Sequence, residues 1–152
     1  MMRRSGFTLI EILIAMAIVG ILASAALVGL GSVQQTARDT RRIQDLRSVQ
    51  TGLELYYRRN GIYPCAQSCP GPMAWGDLTT ALQAVSGGSI IPSDPRESSG
   101  YAPYAYGSDG GSYVIRATLE TDDNVLRADV DLAPFNIDCD DGNGKTFYCI
   151  QF

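Results

Sequence analysis

The sequence contains no histidine. A Ser-His-Asp triad, a Cys-His pair and an HExxH zinc site all require an imidazole, so none can be built from these 152 residues. Basic residues are few, 12 Lys and Arg against 16 Asp and Glu, and a strongly basic nucleic-acid footprint is missing. Four cysteines are too few for a disulfide-dense scaffold but enough for one or two bridges. No internal repeat is visible. A mean hydropathy of +0.00 and a hydrophobic share of 45 % exclude collagen-like, low-complexity and wholly disordered chains. The length gives a prior of one domain.

The average conceals a segregated chain. Residues 7–31 hold 19 apolar residues in 25, one charge (Glu11) and no proline. As a helix this stretch would run about 37 Å, enough to cross about 30 Å of hydrocarbon. It reads as a single membrane anchor, or as a cleaved signal peptide with Ala23-Ser24-Ala25 as a small-x-small site. Arg3 and Arg4 precede it, which places the N-terminus in the cytoplasm; Arg38, Arg41, Arg42 and Arg47, just beyond the run, pull the other way. Glu11 is the informative residue. An ionised carboxylate in an apolar span costs about 3 kcal/mol on insertion scales. It can snorkel to the interface, be protonated, or meet a cation. No Lys or Arg lies inside residues 7–31 to provide that cation, so a partner would come from another chain or from a newly made N-terminal amine.

The string Arg3-Arg4-Ser5-Gly6-Phe7-Thr8-Leu9-Ile10-Glu11 closely resembles the leader and helix start of type IV pilins and type II secretion pseudopilins. The likeness lies in a short basic leader ending in Gly, then Phe, then Thr-Leu-Ile-Glu heading a long apolar helix. The resemblance implies cleavage by prepilin peptidase between Gly6 and Phe7, N-methylation of Phe7, and pairing of Glu11 with the Phe7 amine of a neighbouring subunit during filament assembly. Such a pairing would relieve two desolvation penalties at once. The chain departs from the family at one point. Where many relatives carry proline, this chain has Val28, with Gly29 and Gly31 beside it. Local unwinding there would rest on glycine, at about 1 kcal/mol each relative to Ala.

Apolar spacing near three and four continues through Val33, Ala37, Ile43, Leu46, Val49, Leu53 and Tyr56. Asp39/Arg42, Arg41/Asp45 and Glu54/Arg58 are helical neighbours of opposite charge. Asn60-Gly61 and Pro64 supply a stop. One helix over 8–59, about 78 Å long, is predicted, apolar all round in its first half and amphipathic in its second. The stretch from Tyr56 to Pro64, with its Asn60-Gly61-Ile62-Tyr63-Pro64 end, is similar to the helix end common in the same family. Asp77 is expected to cap a short helix over 77–85 that presents Leu78, Leu82 and Val85, with Gly87-Gly88 closing it. Residues 92–100 read as a loop. Strands are expected over 101–106, 112–121, 125–130 and 146–151; Tyr113, Ile115, Ala117 and Leu119 alternate with Val114, Arg116, Thr118 and Glu120, a half-buried strand pattern. Tyr101, Tyr104, Tyr106 and Tyr113 fit strand packing better than a ligand-stacking surface. The expected fold class is α+β: a long N-terminal helix packed on a small antiparallel sheet head of three or four strands. The boundaries are 1–6 leader, 7–31 membrane or filament-core helix, 32–60 amphipathic half and 61–152 head.

Residues 61–152 carry 4 basic and 12 acidic side chains, whereas 32–60 carry 6 basic and 3 acidic. The acidic head argues against direct binding of nucleic-acid phosphates. Cys65, Cys69, Cys139 and Cys149 can oxidise in an exported head. Three pairings are possible; Cys65–Cys69 with Cys139–Cys149 is preferred, and C-terminal disulfide loops occur in pilins. A cross-pairing and four thiolates on zinc remain rivals. Asp138, Asp140, Asp141 and Asn143 lie on a Gly-rich turn whose oxygens suit Ca²⁺. An EF-hand frame from Asp138 fails, with Cys149 at its twelfth position, and a solvated turn is the other reading. Major pseudopilins resembling this chain bind Ca²⁺ in a late loop.

The reading is therefore a structural subunit and not an enzyme: a type IV pilin-like protein first, with the major pseudopilin of a type II secretion system as the alternative and a non-polymerising exported domain behind both. Two local disulfides would favour the pilin, and a late-loop Ca²⁺ site the pseudopilin. The resemblance implies prepilin peptidase, other pilin subunits, an inner-membrane assembly platform and membrane lipid as partners. It also implies an inner-membrane location before assembly and a periplasmic or extracellular filament afterwards. No cofactor is expected apart from the possible Ca²⁺.

Overall fold

The computed structural model describes residues 8–65, 69–88, 91–142 and 144–152, with the backbone alone for 25–30. Arg3, Arg4, Gly6, Phe7 and Asn143, and the side chain of Val28, lie outside the described residues. The chain divides into two units, Met1–Gln35 and Thr36–Phe152. Helix α1, Leu9–Asn60, contributes to both.

In the first unit every described side chain from Thr8 to Ser24 is exposed. The run has no polar face to offer water, because its apolar residues occur at every position of the turn rather than at spacings of three and four.

The second unit is the head, and its sheet is antiparallel throughout in the order β1-β2-β3-β4. The strands are β1 (Gly71–Met73), β2 (Ala105–Ser108), β3 (Tyr113–Thr118) and β4 (Phe147–Gln151). Helix α2 spans Trp75–Ser86 between β1 and β2. On one sheet face Tyr106, Ile115 and Ile150 stand side by side, as do Ala117 and Tyr148. They join Leu46, Val49 and Leu53 of α1 and Leu78 and Leu82 of α2 in the main core. Each fully buried Leu or Val contributes about 1.5–3 kcal/mol through apolar area removed from water. The opposite face, where period-two alternation points Val114, Arg116 and Cys149, is covered at its centre by the chain around Ile137 and Cys139. Gly107 permits this cover. A Cβ there would stand 2.9 Å from Phe135 Cβ and 3.0 Å from Ile137 Cγ1, so any side chain would push the loop off the sheet.

The α+β arrangement is as expected, with five differences, the first being that the strand expected over 101–106 begins only at Ala105 and runs to Ser108. Val33 and Ala37 are exposed, and the buried stripe of α1 begins at Asp39 and Arg42. Asp77 sits in the first turn of α2, and Ala74 takes the cap position instead. Residues 124–128 form a 3₁₀ turn in place of the expected strand. The edge strand β1 was not expected, because three residues containing Pro72 carry no alternation to detect. Tyr106 on β2 and Tyr113 on β3 pack in the core as expected, whereas Tyr101 and Tyr104 precede β2: Tyr104 is buried and the Tyr101 ring lies against guanidinium groups.

The head also buries charge. The Arg42 side chain is 0 % exposed. Its Nε and Nη2 donate to the two carboxylate oxygens of Asp94 at 2.6 and 3.1 Å. Its Nη1 donates to Asp39 Oδ1 at 2.6 Å and Glu120 Oε1 at 2.9 Å. Arg38 forks onto Glu120 at 2.7 and 2.6 Å, and Arg96 reaches the same carboxylate at 3.0 Å. Asp39 in turn accepts from the backbone N–H groups of Glu120 and Thr121 and from the Thr121 hydroxyl. The Tyr101 ring lies 4.6 Å from the Arg42 guanidinium carbon and 5.3 Å from that of Arg96. Burial alone would lower the Arg42 pKa, but hydrogen bonds to Asp94, Glu120 and Asp39 outweigh it and raise the pKa, so Arg42 stays charged. The Arg38 hydrogen bond, opposed by burial and assisted by Arg42 and Arg96, holds the Glu120 carboxyl at about 2 instead of 4.5.

Removing Arg42 leaves Asp94 and Asp39 buried without their guanidinium partner, while Glu120 keeps Arg38 and Arg96. Arg42→Ala is expected to cost about 3–5 kcal/mol in chemical denaturation, whereas Arg41→Ala, on an exposed ion pair, should cost less than about 1 kcal/mol. Equal effects would show that the cluster does not hold the head together. Because the folded pKa of Glu120 is depressed, its contribution is complete above pH 4.5 and is lost as pH falls toward 2. Stability measured across that window should fall more steeply for the native chain than for Glu120→Gln.

Candidate functional site

Two parts of the chain carry chemistry that the core does not consume: the N-terminal helix and an acidic loop beside β4. Glu11 lies in the first turn of α1, where its backbone N–H donates to the Thr8 carbonyl at 3.1 Å. Carboxylates in a first turn suit the positive end of the helix dipole. The surrounding apolar surface is large: Leu9 is 82 % exposed, Met16 74 % and Ile21 69 %. Among the described residues, no helix is long and apolar enough to cross a membrane. The cleavage residues Gly6 and Phe7 and the leader arginines lie outside the described residues, so the pairing of Glu11 with a Phe7 amine has no counterpart in the geometry.

All four cysteines are paired, Cys65 with Cys69 and Cys139 with Cys149, at Cα separations of 5.8 and 5.9 Å. This is the preferred local connectivity, and it leaves no thiolate for zinc.

The acidic loop differs from the sequence-based ligand set of Asp138, Asp140, Asp141 and Asn143. Asp138 is neutralised by Lys145, whose Nζ donates at 2.8 Å, and its other oxygen accepts from the Asp140 N–H. Asp140 accepts from the Gly142 N–H at 3.0 Å and so shapes the turn. Asp141 leaves this group and joins Asp129 and Asp131 instead: one carboxylate oxygen from each lies within 4.8 Å of the other two. Asp129 Oδ2 accepts from the Cys149 N–H at 2.7 Å. Its Oδ1 is buried and, among the described residues, accepts no hydrogen bond. Burial first, and then the charges of Asp131 and Asp141, push the Asp129 carboxyl up to about 6; the Cys149 amide pulls it down.

Asp129 and Asp131 escaped the sequence reading because they lie outside the Gly-rich turn, with residues 132–137 between Asp131 and Asp138. The 3₁₀ turn Pro134–Asn136 and the Cys139–Cys149 bridge bring them back, and neither leaves a short-range signal. The alternation of Asp129 with Asp131 is the one hint the sequence contained.

A family model described as "Prokaryotic N-terminal methylation motif" matches residues 1–27. The chain carries that motif. The type II secretion system core protein G of Aeromonas hydrophila is 32 % identical over 65 residues, which is 43 % of this chain and 46 % of that protein. The protein of the same name from Vibrio cholerae is 31 % identical over 64 residues, 42 % of this chain and 44 % of its own. That of Klebsiella pneumoniae is 33 % identical over 67 residues, 44 % and 48 %. The chain thus spans less than half the length of the curated relatives it matches. No solved structure matches. The resemblance to the pilin and pseudopilin family is borne out by the motif and by these relatives. None of the names describes an enzyme.

Proposed function

We propose that this chain is a structural subunit of a type II secretion pseudopilus, made as a precursor that is cut after Gly6 and assembled through α1. The observation that carries the reading is an N-terminal methylation motif joined to a helix start whose apolar side chains are exposed on every face. Such a surface is compatible with water only if something covers it. Lipid would do so before assembly, with residues 7–31 in the inner membrane and the N-terminus in the cytoplasm. The helices of other subunits would do so afterwards, in the periplasm. Prepilin peptidase would cut between Gly6 and Phe7, and Phe7 would be N-methylated. Glu11 would set axial register by pairing with the Phe7 amine of a neighbour. An inner-membrane assembly platform completes the set of partners.

The two local disulfides, taken alone, lean toward a type IV pilin. The similarity to core protein G weighs more, because it runs over 65 residues while each bridge depends on two positions.

Ca²⁺ belongs to the same proposal. An all-oxygen donor set suits a hard divalent cation, and the unpartnered Asp129 Oδ1 with Asp131 and Asp141 around it fits one. Those three residues would hold the ion, and the ion would supply neutralising charge to carboxylates that otherwise repel each other. Asp138 and Asp140 are better placed to shape the turn beside it.

Intact mass tests the processing step: the mature chain should begin at Phe7 and be one methyl group heavier than the bare sequence. A chain beginning at Ala26 would replace this reading with a released periplasmic domain. Glu11→Ala should leave membrane insertion and processing unchanged and reduce filament formation, read as loss of subunit–subunit cross-links in whole cells; native levels of cross-linking would remove the register role. For the metal, thermal melting of the full chain in detergent should show a higher Tm with Ca²⁺ than with chelator, and identical curves would dismiss the ion.

A further inference from the structure

The acidic trio and the C-terminal bridge share their framework. β4 is an edge strand of the sheet. Tyr113 and Phe152 exchange both backbone hydrogen bonds, so by antiparallel alternation the pair Arg116 and Cys149 exchanges none. The Cys149 N–H therefore points off the edge of the sheet, and Asp129 Oδ2 is what it meets. One ligand is thus fixed from β4. Asp141 is fixed from elsewhere: it follows Cys139 by two residues, and the Cys139 N–H donates to the Leu132 carbonyl at 3.0 Å. The disulfide joins Cys139 to Cys149 across a sequence separation of 10. It is the covalent link between the strand that holds Asp129 and the loop that carries Asp141. Both cysteines are buried, at 0 % and 2 % exposure, so the bridge opens only when this loop lifts from the sheet.

We propose that the Cys139–Cys149 disulfide is the positioning device of the cation site, so that bridge closure and Ca²⁺ binding each favour the other. The proposal rests on the Ca²⁺ reading above. With the bridge open, carboxylate repulsion drives Asp141 away from Asp129 and Asp131. With it closed, the three are held within reach of one ion, and the ion removes the repulsion that opposes closure. Linkage makes the coupling reciprocal. Reduction by dithiothreitol adds two electrons and two protons to the Sγ–Sγ bond, giving two thiols, while the reagent becomes its cyclic disulfide. Bound Ca²⁺ opposes that reaction because it suppresses the lifting that exposes the bond.

The test uses the full chain in detergent micelles, titrated calorimetrically with Ca²⁺. Cys139→Ser/Cys149→Ser should bind Ca²⁺ about tenfold more weakly than the native chain. Cys65→Ser/Cys69→Ser should bind as the native chain does. Equal affinity in the two variants overturns the coupling. A second measurement needs no variant. The native chain is exposed to dithiothreitol with Ca²⁺ or with chelator, free thiols are alkylated, and each bridge is followed by mass spectrometry. Ca²⁺ should slow opening of Cys139–Cys149 about tenfold and leave Cys65–Cys69 unaffected. Rates that do not respond to Ca²⁺, or that slow equally at both bridges, overturn the proposal. If the native chain gives no Ca²⁺ binding at all, the cation reading fails and the coupling falls with it, a result distinct from binding without coupling.

Discussion

The head is organised around one buried cation. The Arg42 guanidinium is shared by Asp39 on its own helix, Asp94 in the segment after α2 and Glu120 just past β3. Asp94 and Glu120 lie on different pieces of chain, so satisfying the arginine fixes two segments relative to α1. An apolar residue of the same size would release as much water, but it would not specify which partners must meet it. A planar group with donors in fixed directions does. Desolvating four charges is costly and is offset only because nearly every donor and acceptor finds a partner, including the backbone N–H groups of Glu120 and Thr121 that turn toward Asp39. The apolar core formed by Leu46, Val49 and Leu53 then continues along the same helix face.

Much of this architecture was legible in the sequence where the signal is periodic. The period near 3.6 through Leu46, Val49 and Leu53 located the stem, and the period of two in Tyr113, Ile115 and Ala117 located the central strand. The local disulfides were the preferred pairing. The ion cluster was half visible: Asp39 and Arg42, three apart, read as helical neighbours of opposite charge, but their burial depends on Asp94 and Glu120, which are 52 and 78 residues from Arg42. The same holds for the acidic loop. Asp138 and Asp140 look like ligands in one dimension, yet Lys145 and the turn's own N–H groups engage them. The trio that does converge is assembled by a 3₁₀ turn and a bridge. Sequence patterns report local order well and long-range convergence poorly, because loop closure leaves no periodicity behind.

The proposed function divides the molecule by the kind of surface each part presents. From Leu9 to Leu22 most of the exposed residues are large and apolar, and association there would be driven by covering hydrocarbon. The head buries most of its large apolar residues, with Ile62, Leu132 and Phe152 among those left exposed, and residues 61–152 carry 12 acidic against 4 basic side chains. An ordered assembly needs the first kind of surface to associate and the second kind to stay apart.

The side-chain cap on β4 bears on that requirement. A sheet with open margins recruits strands from neighbouring molecules, and heads held side by side would meet at very high local concentration. Here Asp129 occupies the outward amide of Cys149. The opposite margin is only Gly71–Met73, with proline at its centre. Neither border offers a run of free backbone donors long enough to template a fifth strand. The carboxylate that would bind an ion thus also occupies the outward amide at the middle of this edge strand.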